Sequence, residues 1–130
     1  MYEIYSDGAS RSNPGEASVG VSILKDNVEI DTIKKRIGVA TNNVAEYIGL
    51  IEALEYCIKK NITEVIIYLD SLLVVQQVNL EYKVKSKKLQ EYYNKALNLI
   101  DEINTIKILH VKREFNKRAD QLANQALDEV

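Results

Sequence analysis

The beginning of the chain alternates apolar and polar residues with the two-residue period of β-strands. Alternating segments cover residues 2–7, 17–25 and 28–37, and a turn-forming pair at 26–27 joins the second segment to the third. Residues 11–16 are rich in turn formers and predict a loop. Three consecutive strands without an intervening helix predict an antiparallel meander.

Helical periodicity then replaces the alternation. Apolar residues recur at spacings of three and four over residues 43–60, which predicts an amphipathic helix. Residues 64–70 are apolar almost throughout, as in a parallel strand buried on both faces. The remaining pattern predicts a short helix over 72–78, a longer helix over 89–103, a strand over 105–111 and a final helix over 117–129. The order βββαβααβα indicates a layered domain of the α/β or α+β class.

Composition limits the number of domains and the cellular compartment that we expect. The chain has 130 residues, of which 46% are hydrophobic and 28% charged, so we expect a single globular domain over 1–130. Its one cysteine, Cys57, lies on an apolar helical pattern and is expected to be a buried structural thiol. A lone cysteine forms no intrachain disulfide, and no apolar run reaches membrane length. These features predict a cytoplasmic protein without a membrane partner.

Net charge gives little guidance about a polyanionic partner. The formal charge is −2, yet basic residues cluster at 34–36, at 83–88 and at 112–118. A solvated surface is the alternative explanation for any one of these runs, and for residues 34–36 it is as good an explanation as a phosphate contact. The charge balance therefore neither supports nor excludes nucleic acid binding.

Four carboxylates fall where a predicted strand ends or a predicted helix begins. Asp7 and Asp70 close strands, whereas Glu46 and Asp120 lie in the first turns of helices. In an open α/β sheet these positions share one edge, which is where such folds bind ligands. Carboxylate oxygens are the ligands that hard divalent cations prefer.

Each acid also has a structural explanation when taken alone. Asp7 begins a common turn dipeptide, Glu46 has capping-box spacing from Asn43, Asp70 could be an N-cap, and the helix dipole favours Asp120. Together they are harder to explain, because adjacent parallel strands would place Asp7 and Asp70 roughly 5 Å apart. Like charges that close are costly without a cation, so the set predicts a two-metal site for phosphodiester chemistry.

No nucleophilic triad competes with this interpretation. The sole histidine, His110, lies within the last predicted strand, which favours a structural role. The chain has no cysteine–histidine cluster for zinc and no phosphate-binding P-loop motif. A general base would therefore be water on a metal or a carboxylate.

Several segments taken together resemble type 1 ribonuclease H, and they span nearly the whole chain in order. The segments are Tyr5–Ser10, Asn13–Gly15, Thr41–Glu46, Leu69–Ser71 and Asn116–Ala123. The resemblance implies an α/β fold with a five-stranded mixed sheet in the order 3-2-1-4-5. It also implies that strand 2 is antiparallel to the others and that helices cover both faces.

The resemblance further implies cleavage of the RNA strand of RNA–DNA hybrids, leaving 5′-phosphate and 3′-hydroxyl ends. Two ions, Mg²⁺ or Mn²⁺, would be the cofactors. Carried over by motif position, the catalytic metal ligands are Asp7, Glu46, Asp70 and Asp120, with Asp7 and Asp70 as the central pair. The substrate-binding residues expected from the same positions are Gly8, Asn13, Thr41, Asn42, Asn43 and Ser71. Arg113, in the loop before Asp120, is added to them.

Two departures from the family pattern concern substrate binding. Many bacterial members carry a basic, tryptophan-bearing protrusion, whereas here residues 79–88 are short and the chain has no tryptophan. The loop before Asp120 is also short, which leaves the role of a mobile histidine vacant and Arg113 as its candidate substitute. The compact form is similar to short relatives of which some also cut double-stranded RNA, so that substrate stays open.

Two other interpretations fit parts of the pattern. A phosphoacceptor receiver domain also places acids at strand ends, but it needs strict βα alternation and an acidic pair after the first strand. A catalytically inactive hybrid-binding module of the same fold is the second alternative. With all four acids present, we expect an active enzyme rather than the inactive module. We also expect a monomer.

Overall fold

The computed structural model of the protein describes residues 1–129 and contains one five-stranded sheet in the order β3-β2-β1-β4-β5. β2 is antiparallel to both of its neighbours, whereas β1, β4 and β5 are mutually parallel. The strands are β1 Tyr2–Ser10, β2 Gly15–Lys25, β3 Val28–Ala40, β4 Glu64–Leu69 and β5 Thr105–His110. The predicted meander, sheet order and strand directions are confirmed.

Four helices complete the order βββαβααβα. They are α1 Asn42–Lys59, α2 Leu72–Val78, α3 Lys87–Asp101 and α4 Lys117–Asp128. Their ends lie within two residues of the predicted ones, as expected where caps rather than periodicity decide the boundary. A 3₁₀ turn at Arg113–Phe115, which the periodicity did not predict, precedes α4.

The main core lies between the sheet and α1. Ile4, Ile23 and Ile67 extend from three neighbouring strands and are fully buried. Leu50 and Leu54 of α1 pack into the same cluster and are also fully buried. The sheet covers one side of α1 and α3 covers the other. The apolar surface of α1 is therefore much wider than one narrow stripe.

The other face of the sheet receives α4 at very short range. A Cβ atom on Gly20 would lie 2.3 Å from the carbonyl oxygen of Ala119 and 2.4 Å from the nitrogen of Ala123. The hydroxyl of Ser18 donates to the carbonyl oxygen of Ala123 at 2.5 Å. The helix backbone therefore rests directly on β2, with small residues making room for it.

The end of β1 differs from the prediction. The strand does not stop at Asp7 but continues to Ser10, because β2 also extends and pairs with it at Gly8 and Val19. The parallel pairing between β1 and β4 does stop there, with Ser6 and Leu69 as its last pair. Asp7 thus lies where the parallel ladder ends rather than where the strand ends.

The basic residues of β3 are engaged within the fold. The Arg36 guanidinium donates to the carbonyl oxygens of Ala126 at 2.9 Å and Leu127 at 2.8 Å, at the C-terminal end of α4. Lys34 forms an ion pair with Glu129. Lys34 and Arg36 complement the negative end of the α4 dipole and so contribute to the fold.

The structure bears on the predicted state of Cys57 and on the search for membrane-spanning segments. Cys57 is buried in the core, and its burial raises the pKa of the thiol to about 11, which makes it an inert structural cysteine as predicted. Among residues 1–129, none of the helices has the length and apolar character needed to cross a membrane.

The contact between α4 and β2 gives a first testable prediction. Gly20→Ala should lower the free energy of unfolding by about 1–3 kcal/mol, because the new methyl group would push the backbone of α4 away from the sheet. Chemical denaturation measures the change, with Thr32→Val on the exposed surface of β3 as the control. Wild-type stability in Gly20→Ala would contradict the close approach of α4 to β2.

Candidate functional site

Three carboxylates from separate parts of the chain meet at one edge of the sheet. Asp7 comes from β1, Glu46 from α1 and Asp70 from the residue after β4, and one oxygen of each lies within 4.8 Å of the others. Asp7 and Glu46 are each only 7% exposed. Glu46 is therefore part of the central cluster, whereas the sequence had placed it beside a central pair of aspartates.

Glu46 is held by β1 and not by a helix cap. The N-cap of α1 is Thr41, whose hydroxyl accepts a hydrogen bond from the nitrogen of Val44 at 3.3 Å, so the capping-box interpretation of Glu46 is wrong. Instead, Glu46 Oε1 accepts from the main-chain nitrogen of Gly8 at 2.7 Å. A Cβ atom on Gly8 would lie 2.2 Å from the carbonyl carbon of Ala45, so only glycine allows this approach.

The cluster is short of positive charge. Burial, followed by the negative charge of Glu46 and then that of Asp70, raises the pKa of Asp7 well above its usual range. Burial also raises the pKa of Glu46. Hydrogen bonding with Asp7 and with the Gly8 N–H, followed by the charge of Arg113, lowers this pKa but offsets the rise only in part. Within residues 1–129, Glu46 Oε2 is buried without a hydrogen-bond partner. Buried carboxylate oxygens that repel one another form a donor set that fits a divalent cation.

Asp120 lies in the same cleft but outside the closest cluster. It sits in the first turn of α4, as predicted, and is half-buried. The side-chain amide of Asn124 donates to Asp120 Oδ1 at 3.2 Å and to its carbonyl oxygen at 3.0 Å. Asp120 is also close enough to Asp7 to add to the raised pKa of that carboxyl, after burial, Glu46 and Asp70. Asp120 can therefore act with the three central acids.

Asp70 is held by a residue that the sequence interpretation missed. Ser71 caps α2 by accepting from the nitrogen of Val74 at 3.3 Å, so Asp70 is not the N-cap. Asp70 Oδ2 instead accepts from Asn116 Nδ2 at 3.1 Å. Asn116 had been noted only as part of a motif, and an asparagine just before a predicted helix normally indicates a cap.

An open cleft of about 460 Å³ runs beside the acids. Besides the four acids, it is lined by Gly8, Ala9, Ser10, Asn42, Asn43, Ser71, Arg113 and Asn124. Five of the predicted substrate-binding residues are therefore in this cleft. The other two, Asn13 and Thr41, line an adjoining groove that shares Asn42 and Asn43 with the cleft and continues to Lys88.

Hydrogen bonds of the groove asparagines connect the start of α1 to the loop between β1 and β2. The main-chain nitrogen of Asn42 donates to Asn13 Oδ1 at 3.0 Å, and Asn42 Oδ1 accepts from the nitrogen of Ser10 at 3.1 Å. Because Thr41 caps α1, neither Asn42 nor Asn43 is needed as its cap. Both asparagines are exposed where the cleft meets the groove.

His110 does not have the surroundings of a structural core residue. It is the last residue of β5, inside the strand as predicted, but its side chain is exposed. The structural role expected from its position in the strand therefore lacks the packing that it requires.

Comparisons with known proteins agree with this geometry. Residues 5–126 match the reverse transcriptase-like family. A bifunctional protein of Mycobacterium tuberculosis is 41% identical over 127 residues, which cover 96% of this chain and 35% of that protein. Ribonuclease HI of Halobacterium salinarum is 40% identical over 127 residues, which cover 97% of this chain and 64% of that protein. The chain thus spans about a third of the first relative and less than two thirds of the second.

Solved structures extend the match to the whole described fold. The crystal structure of ribonuclease H1 from Halobacterium salinarum superposes with a TM-score of 0.96 at 37% identity, covering 99% of this chain and 98% of that chain. The chain belongs to the ribonuclease H family. A second family structure, a ribonuclease H1 isolated from compost, was solved in complex with an RNA/DNA hybrid. It superposes with a TM-score of 0.92 at 38% identity, covering 98% of this chain and 97% of that chain.

The acid cluster predicts how a divalent cation changes stability. At a concentration ~100 times its dissociation constant, Mg²⁺ or Mn²⁺ should stabilise the ribonuclease H fold by about 2.7 kcal/mol. Asp7→Asn should be about 1 kcal/mol or more stable than wild type without metal, because the cost of burying an ionisable carboxyl beside Glu46 and Asp70 is removed, and it should lose most of the metal effect. Unfolding curves with each ion and with EDTA measure both changes.

Asp101→Asn is the matched control, because Asp101 is an exposed acid at the end of α3. It should respond to metal as the wild type does. A wild-type stability that neither ion changes would show that the acids do not form a metal site.

Proposed function

We propose that this chain is a metal-dependent endoribonuclease that hydrolyses the RNA strand of RNA–DNA hybrids, leaving 5′-phosphate and 3′-hydroxyl ends. The observation that carries the proposal is the convergence of Asp7, Glu46 and Asp70 within 4.8 Å beside an open cleft. The family relative solved with an RNA/DNA hybrid supports the choice of substrate.

The cofactors proposed are two Mg²⁺ or Mn²⁺ ions, held by the four cleft acids Asp7, Glu46, Asp70 and Asp120. Bound divalent ions supply Lewis-acid chemistry for displacement at phosphorus. The protein contributes the arrangement of the acids, since Gly8 holds Glu46 and Asn116 holds Asp70 through direct hydrogen bonds. Oxygen ligands of this kind suit both ions.

Recognition of RNA requires contact with the 2′-hydroxyl, the group that DNA lacks. Asn42 and Asn43 are exposed at the edge of the cleft, a few residues before Glu46 in the same helix. An amide side chain both donates and accepts, so it can read a 2′-hydroxyl and a base edge in a wide minor groove. We assign the minor-groove contacts to these two residues, with Asn13 beside them.

Phosphate contacts are assigned to two places. Arg113 lies in the cleft with the acids, where its guanidinium can reach the phosphate next to the scissile bond. Thr41 and Lys88 line the groove beyond Asn43, which suits the sugar–phosphate backbone of the second strand. The remaining lysines of the 83–88 segment are exposed near this groove and take the place of the basic protrusion that many relatives carry.

The other predictions from the sequence belong to the same proposal. We expect the ribonuclease H domain to cover residues 1–130, to act as a monomer and to work in the cytoplasm. Double-stranded RNA is a second candidate substrate, because an A-form duplex also presents 2′-hydroxyls in a wide minor groove. An inactive hybrid-binding module is the alternative function that an assay must separate from catalysis.

A cleavage assay tests the proposal. Labelled RNA–DNA hybrid, double-stranded RNA and double-stranded DNA are incubated with the protein in Mg²⁺, Mn²⁺ or EDTA. We expect cleavage of the hybrid with either ion and none in EDTA. Asp70→Asn should reduce the rate by about 100-fold or more, since loss of an outer residue that merely supports a metal ligand already costs 10–100-fold. Asp101→Asn should cleave as the wild type does.

Each remaining result has a distinct meaning. Hybrid binding without cleavage in any metal would identify the inactive binding module. Cleavage of double-stranded RNA at a rate comparable to the hybrid would broaden the substrate class. Absence of hybrid cleavage and of hybrid binding would show that the proposed function is wrong.

The groove assignment predicts a salt-dependent defect. Lys85→Ala combined with Lys88→Ala should raise KM for the hybrid and leave kcat unchanged, because lysine–phosphate contacts act in binding rather than chemistry. The slope of log affinity against log salt should fall by about one for each lysine that no longer neutralises a phosphate. The control is Lys59→Ala with Lys60→Ala, which removes the same charge at the C-terminal end of α1, whereas the groove lies at its N-terminal end. Equal effects of the two pairs would contradict the groove assignment.

A further inference from the structure

Asn116 stands where β1, β4 and α4 meet. Its side-chain nitrogen Nδ2 donates to the carbonyl oxygen of Ser6 at 3.0 Å and to Asp70 Oδ2 at 3.1 Å. Ser6 and Leu69 are the last residues paired between the two parallel strands, so the amide links β1 to the residue after β4 where their ladder ends. At 1% exposure, Asn116 is among the largest fully buried side chains of the protein.

The chemistry of the contacts fixes how this amide is oriented. A carbonyl oxygen and a carboxylate oxygen both accept hydrogen bonds, so only the NH₂ group of Asn116 can face Ser6 and Asp70. Within residues 1–129, Asn116 Oδ1 is then buried without a partner. A buried, unpaired acceptor is unfavourable, and an apolar side chain of similar size would fill the space without that cost. Packing alone therefore does not explain an asparagine here.

Helix capping does not explain it either. Asn116 is the N-cap residue of α4, a position where an asparagine side chain usually accepts from the first helical N–H groups. It forms no such hydrogen bond. Its main chain is held between two residues of the cleft, because its nitrogen donates to the carbonyl oxygen of Arg113 at 2.9 Å and its oxygen accepts from the nitrogen of Asp120 at 3.1 Å.

Asp70 needs such a partner. It follows the end of β4, is only half-buried, and lies within 4.8 Å of two other carboxylates that repel it. Without a donor, the aspartate could relieve this repulsion by rotating toward solvent. A hydrogen bond from a rigidly held NH₂ group keeps one rotamer and leaves Oδ1 of Asp70 free for a ligand.

We propose that Asn116 is a positioning residue for the metal site: it holds Asp70 in the cluster with Asp7 and Glu46, in the orientation that a divalent cation requires. The inference deepens the proposed function and rests on it, because a metal must bind at these acids. Asn116 itself touches neither metal nor substrate in this role.

Metal affinity measured without nucleic acid tests the proposal. Titration calorimetry with Mn²⁺ on the full chain should show a dissociation constant about 10–100-fold higher for Asn116→Ala than for wild type. The Mg²⁺ concentration that half-saturates hybrid cleavage should rise by a similar factor, with kcat largely recovered at high Mg²⁺ and KM for the hybrid unchanged. Asn116→Leu, which avoids a cavity, should behave alike if Asn116→Ala folds poorly.

Ser18→Ala is the control for a purely structural effect. It removes a buried hydrogen bond that also anchors α4 on the sheet, between Ser18 and Ala123, without touching any acid. We expect a comparable loss of stability and an unchanged Mn²⁺ dissociation constant. If both Asn116 variants lose stability but bind Mn²⁺ as the wild type does, the positioning role is wrong. A wild-type chain that neither binds Mn²⁺ nor cleaves hybrid would instead overturn the proposed function itself.

Discussion

The close approach of α1 to β1 at Gly8 is the constraint on which the site depends. It lets the Gly8 N–H reach the Glu46 carboxylate at 2.7 Å, which draws a helix-borne acid onto a strand that carries Asp7. A larger residue at position 8 would force the helix outward and separate the two acids. The packing of one glycine therefore determines whether Glu46 joins Asp7 and Asp70 in the cluster.

Clustering these acids opposes stability, and the fold offsets that cost from both faces of the sheet. The core under α1 fixes Glu46, whereas α4 on the opposite face carries Asp120 and begins directly after Asn116. Gly20 and Arg36 hold α4 at its middle and at its end, respectively. Such local destabilisation is common where a protein keeps charged groups ready for a ligand.

The sequence predicted element order and the edge that carries the acids, because periodicity and strand-end positions are local signals. Sheet order came from the family resemblance, and the structure confirms it. Details that depend on contacts distant in sequence were not predictable. Asp7 lies inside β1 because β2 extends beside it, Glu46 binds Gly8 rather than capping its helix, and Asn116 supports Asp70 instead of the helix that it begins. The structural role predicted for His110 was wrong for the same reason. The sequence pattern does not show that β5 lies at the edge of the sheet, where the His110 side chain is exposed.

The position of α4 has a consequence for folding. The site draws on residues from Asp7 to Asp120, so its contacts join parts of the chain that are very distant in sequence. Contacts of this kind form late when folding proceeds from local structure. A chain that has built the sheet and α1 but has not yet docked α4 possesses three acids without Asp120 or the support of Asn116. The four acids of the cleft therefore come together only when α4 docks on the sheet.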